Sequence, residues 1–146
     1  MYDGLEIARP DGRERRRLSH DPIIAFYWAP DGSRLAYLRL DTHAQALSWN
    51  VVGVGGGATR SLASFTPSDD FAFQLSFFDQ YVQSTSVWSP DGRCLVYGTD
   101  AGGQRRNGST VSEHVAVLDV DAPEPTARPT QIARGGLAVW SPARLP

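Results

Sequence analysis

The chain has 146 residues, 41% hydrophobic and 21% charged, with a formal net charge of −2. That length can bury a sizeable core, and the charge gives no electrostatic case for nucleic acid or an anionic membrane surface. The lone cysteine, Cys94, excludes an internal disulfide framework, and neither a secretory leader nor a transmembrane apolar run is legible, so membrane insertion is not expected. All 14 basic residues are arginine, which fits a GC-rich bacterial genome.

The first segment, Leu5 to Ser19, reads as strand, Pro10-Asp11-Gly12 turn, strand. In the second of these strands Arg13, Arg15 and Arg17 share one face, the signature of a charge-defended sheet edge. Next comes alternation toward Trp28, with Ile24, Phe26 and Trp28 on one side and Ile23, Ala25 and Tyr27 on the other. Pro30-Asp31-Gly32 then supplies turn chemistry: Pro presets the first corner, Asp bonds its own backbone, and Gly accepts positive φ. In the returning strand Leu35 and Tyr37 share one face, Ala36 and Leu38 the other. Two apolar faces imply a sheet covered on both sides.

A third strand pair, Ala46 to Ser64, carries a Gly-rich tip. Gly53 to Ala58 formally fits G-x-G-x-x-A, but strands on both sides make it a hairpin tip rather than a dinucleotide loop. Residues 66–84 form an insertion rich in aromatics. Phe71, Phe73, Phe77, Phe78 and Tyr81, with Asp79, are the candidate partner-binding residues, since interfaces enrich aromatic anchors. The competing expectation is that these rings fold down over a local core. Trp88, Pro90, Asp91, Gly92, Leu95 and Tyr97 then repeat the positions of Trp28, Pro30, Asp31, Gly32, Leu35 and Tyr37. Residues 101–110 lengthen the following connection, Glu113 to Arg134 forms a strand pair, and Trp140-Ser141-Pro142 starts a truncated third copy.

Each unit thus has four short antiparallel strands, the blade of a β-propeller. The Trp-to-Trp spacings exceed the roughly 40–45 residues of one blade because of the two insertions. The expected organisation is all-β: residues 1–19 a half blade, 20–64 a full blade, 65–85 an insertion, 86–134 a full blade and 135–146 the first strand of another. About eleven strands cannot close a ring of four to eight blades, so the chain is expected to be the C-terminal part of a larger propeller, the alternatives being completion by a partner or an open three-blade stack.

The word W-[AS]-P-D-G-x-x-L-x-Y resembles the WD-like repeat of TolB-type β-propellers. Similar repeats occur in the propeller domains of prolyl-oligopeptidase-type and tricorn-type peptidases. The resemblance implies a non-catalytic protein-binding scaffold outside the cytoplasm, whose partner is another protein or the missing blades. The alternative is an accessory propeller of a peptidase whose catalytic domain lies elsewhere.

No catalytic, cofactor or metal residue is assigned. His20, His43 and His114 lack metal spacing, and no G-x-S-x-G elbow is present. Asp119 and Asp121 share a strand face, but hard cations take six or more oxygens, so a solvated strand end is expected.

Overall fold

A computed structural model describes residues 1–42, 46–82, 84–100, 112–123 and 128–141. The insertion at 101–110, His43 and the third-copy residue Pro142 therefore lie outside the described residues. The rest is an antiparallel sheet of eight strands in sequence order: β1 (Tyr2–Ile7), β2 (Arg16–Trp28), β3 (Arg34–Asp41), β4 (Ala46–Gly53), β5 (Arg60–Pro67), β6 (Cys94–Asp100), β7 (Glu113–Asp119) and β8 (Thr130–Arg134). Two helices, α1 (Asp69–Ser76) and α2 (Phe78–Tyr81), interrupt it after β5.

The turns follow from their residues. Gly12, Gly32 and Gly92 have φ of 77°, 69° and 71°. In each case the glycine N–H bonds the carbonyl three residues back, Arg9, Ala29 or Ser89. Asp11, Asp31 and Asp91 each accept from the backbone N–H two residues on, at 3.0, 2.9 and 3.1 Å. Three copies of one tripeptide thus make three closely similar turns.

Strand pairing also recurs. β2 pairs with β1 from Arg16 to Ile23 and with β3 from Ile23 to Trp28, so one long strand hands over from one neighbour to the next. β5 does the same: Arg60 to Phe65 pairs with β4, and Thr66 and Pro67 pair with β6. β3–β4 and β6–β7 run in unbroken register, whereas β1–β2, β4–β5 and β7–β8 all carry register shifts.

Both faces of the first half are buried, as its alternation predicts. Leu35, Tyr37 and Val52 join Leu5 and Ile23 in one cluster. Ala36, Leu38, Trp49 and Val51 join Ala25, Tyr27, Trp88, Leu95 and Tyr97 in the other. One expectation needs correction: Ile23 does not share a face with Ala25 and Tyr27. A register shift between Ile23 and Ala25 adds a residue to β2 and turns Ile23 to the opposite side.

Two further strands were expected and differ. Around Trp88 no strand forms, and the pairing with β6 is reduced to the Trp88↔Leu95 bridge with the Val96 N–H bond to Val87 O and the Ser89 N–H bond to Cys94 O. Between β8 and Trp140, residues 135–140 form no strand; Trp140 N–H bonds Ser86 O at 2.9 Å.

Arginines tie successive portions of the sheet together. Arg16 donates to the carbonyls of Val54 and Gly55 at the β4–β5 tip. Arg60 donates to Val120 and Ala122 at the tip after β7. Arg34 forms a two-pronged pair with Asp121, 2.7 and 3.3 Å, and donates to Gly92 O.

Candidate interaction surface

The two helices sit inside what would be one strand. β6 pairs at its far end with Thr66 and Pro67, and at its near end with Val87, Trp88 and Ser89. Between those fragments the chain leaves the sheet at Ser68, whose N–H still bonds Gly98 O at 3.3 Å.

Ser68 starts α1 as its N-cap, its Oγ accepting from Phe71 N–H at 3.2 Å while its hydroxyl donates to Gly136 O. Asp69 and Asp70 occupy the first turn, where the helix dipole favours negative charge. The Asp69 N–H, otherwise an orphan of the helix start, bonds Glu113 Oε1 at 2.9 Å. Gly98 makes this closure possible: a Cβ there would collide with Gly136 O and Ser68 Oγ.

One helical face is core. Phe71, Gln74, Leu75 and Phe78 are buried. Phe71 packs beside Phe65 and Tyr97, and the Phe78 ring lies 5.2 Å from Phe26 and 5.5 Å from Tyr27. Thus Phe71 and Phe78, both expected on a partner surface, are removed from it by burial. Asp79 is also engaged within the chain, accepting from Tyr2 OH.

The other face is open. Phe73 is 64% exposed, Phe77 41% and Tyr81 41%. Phe73 and Phe77, one helical turn apart, hold their ring centroids at 5.0 Å. Four side chains of the insertion thus cap the core, while three aromatics face outward.

The repeated tryptophans occupy different environments. Trp88 is 2% exposed, its Nε1–H donating to Tyr27 O at 3.0 Å and Arg34 lying 5.5 Å from its ring. Trp28, at the equivalent position, is 51% exposed. Trp28, Trp88 and Trp140 line a hollow of about 420 Å³ with Val82, Thr85 and Ser86.

Polar clusters are structural in their geometry. Tyr37 OH donates to Asp21 Oδ2 at 2.8 Å, beside Ser19 and Arg39. Burial works to raise the Asp21 pKa, but the Tyr37 and Ser19 hydrogen bonds and the Arg39 charge outweigh it and hold the carboxyl below its usual value. The hydrogen bond from Arg34 likewise lowers Asp121, so the expected solvated strand end is an ion pair. Burial, with Asp119 and Asp91 nearby, raises the Cys94 thiol, which disfavours the thiolate form. Among the described residues no cluster of His, Cys, Asp or Glu could hold a metal ion, and no helix is long and apolar enough to cross a membrane.

Sequence reasoning missed the arginine clamps. Arg16, adjacent to the Arg13, Arg15 and Arg17 face read as edge defence, grips a neighbouring tip, while Arg17 of that face pairs with Glu6 at 2.8 Å. The two clamps share a position: Arg16 opens β2 opposite Ile7, and Arg60 opens β5 opposite Val51.

No family model matches the chain, and no curated protein matches it. Among solved structures it is similar to the crystal structure of TolB from Acinetobacter baumannii, with a TM-score of 0.53 and 19% identity over 87% of this chain. The alignment covers 25% of that protein, so this chain spans about a quarter of its length. The fold is TolB-like: an all-β antiparallel sheet.

Proposed function

We propose that the chain is part of a TolB-type β-propeller and works as a non-catalytic protein-binding scaffold. The units are 1–19, 20–64, 86–134 and 135–146, with 65–85 as an insertion on the framework. The recurring handovers of β2 and β5, the matching turns and the paired clamps of Arg16 and Arg60 support this division.

The observation that carries the binding role is the exposed Phe73–Phe77 pair on a helix inserted into an otherwise repeating β framework. Repeat proteins place specificity in such insertions, and a rigid two-ring patch with Tyr81 alongside matches the aromatic anchors of protein interfaces. The double variant Phe73→Ser/Phe77→Ser tests it in a pull-down from a lysate of the encoding organism. Partners captured by the parent chain and lost by the folded variant support the patch as the interface; an unchanged set of captured proteins overturns it.

A further inference from the structure

The end of the sheet at β1 combines two features. β1 pairs only with β2 among the described residues. Its counterparts do more: β4 pairs with β3 as well as β5, and β7 pairs with β6 as well as β8. The correspondence is set by register, since Ile7 faces Arg16 as Val51 faces Arg60 and Val117 faces Thr130.

Bulges on a terminal strand often serve to block further pairing. Here they do not, because β4–β5 and β7–β8 carry register shifts too, and β4 and β7 still pair without interruption on their other sides. The shifts of β1–β2 therefore belong to the repeat.

The second feature is apolar. Beside the open edge lies a hollow of about 490 Å³ lined by Tyr2, Leu5, Ile7, Phe26, Trp28 and Leu35, among others. Trp28 is half exposed there. The chain contains the filled version of the same junction. Trp88 and Leu95, equivalent to Trp28 and Leu35, are buried with Tyr27, Ala36 and Leu38 of the β2–β3 hairpin, and the Trp88 indole bonds that hairpin's Tyr27 carbonyl.

We propose that the β1 edge and the Trp28 face together take an antiparallel β-hairpin of this chain's own repeat type. Its returning strand pairs with β1 as β3 pairs with β4. Its first strand offers a main-chain carbonyl to the Trp28 indole, and its apolar face fills the hollow. This site is separate from the Phe73–Phe77 patch and does not depend on that patch binding a partner, although the repeat type of the occupant rests on the division into repeating units.

The probe is a peptide copying residues 22–41 with Trp28→Phe, both linear and backbone-cyclised so that hairpin formation is not limiting. It is added to the full chain labelled with 5-fluorotryptophan. Expected are saturable binding, a shift of the Trp28 fluorine signal, and slowed hydrogen exchange in residues 2–7. Trp28→Ala in the full chain should weaken binding about tenfold, and a peptide with Ala in place of Pro30-Asp31-Gly32 should not bind. No shift and no protection with the cyclised peptide overturns the proposal. So does a dimer by light scattering in which Trp28 is already shielded, since the occupant would then be a second copy bound as a whole.

Discussion

The indole N–H of Trp88 reaches back 61 residues to the main-chain carbonyl of Tyr27, 3.0 Å away. With Arg34 over the ring and Arg34 itself held by Asp121, one side chain joins the two halves of the sheet. Trp88→Phe should therefore destabilise by about 2–4 kcal/mol, through a lost hydrogen bond, a lost cation–π contact and a cavity. Trp28→Phe, at the equivalent but half-exposed position, should cost less than about 1 kcal/mol. Urea unfolding of both variants checks the contrast, and equal losses would contradict it.

Two repeat tyrosines should respond in opposite ways. Tyr37 donates to Asp21. Tyr97 meets the Phe65 ring at 4.3 Å instead, and its buried hydroxyl has no hydrogen-bond partner among the described residues. Tyr37→Phe should cost about 1 kcal/mol, whereas Tyr97→Phe should be neutral or stabilising by about 1 kcal/mol. Thermal unfolding monitored by near-UV circular dichroism reads the difference in sign.

Gly98 is fixed by crowding rather than by its φ. Gly98→Ala forces the Gly136 carbonyl and the Ser68 cap away from β6. A loss of about 1–3 kcal/mol is expected, together with faster amide exchange across α1, because the helix cap moves with it. Exchange that stays slow in α1 would show that the cap does not depend on this approach.

Acid should weaken the junction. Asp121 has a folded pKa held below the usual 3.8 by Arg34, so its contribution is complete above the unfolded value and is lost as pH falls through the folded one. Asp21 follows the same sign. Stability should be flat from pH 7 to about pH 5 and decline below about pH 4. Asp121→Asn, with its carboxylate 48% exposed, should cost about 0.5 kcal/mol at neutral pH. Its unfolding curve should converge on the parent's in acid, and a gap that persists below both pKa values would exclude this linkage.

Phe73 and Phe77, 64% and 41% exposed, contribute little to the fold. Phe73→Ser/Phe77→Ser should change stability by no more than about 0.5 kcal/mol. Phe71→Ala, by contrast, should cost about 3–5 kcal/mol. Denaturation midpoints of the two variants separate the exposed face of the insertion from its core face.

The framework was legible because its determinants are local. Pro-Asp-Gly encodes a turn wherever it falls, and the Leu35/Tyr37 and Ala36/Leu38 alternation assigns both faces of β3. The helices were equally local in origin: Ser68 followed by Asp69 and Asp70, then Phe71, Leu75 and Phe78 at helical spacing, is a capped amphipathic start. The density of aromatics drew attention away from that period. The face reversal at Ile23 was not legible, because a bulge is decided by two strands at once. Nor was the unlike fate of Trp28 and Trp88, which depends on what stands beside each.

The arginine clamps have an evolutionary consequence. Arg16 and Arg60 address carbonyls at Val54, Gly55, Val120 and Ala122, and every residue type supplies a carbonyl. A joint read through the main chain places no code on the side chains it holds. Tips as unlike as Gly55-Gly56-Gly57 and Asp121-Ala122-Pro123 can occupy equivalent places, free to drift while the mortise stays cut to one pattern.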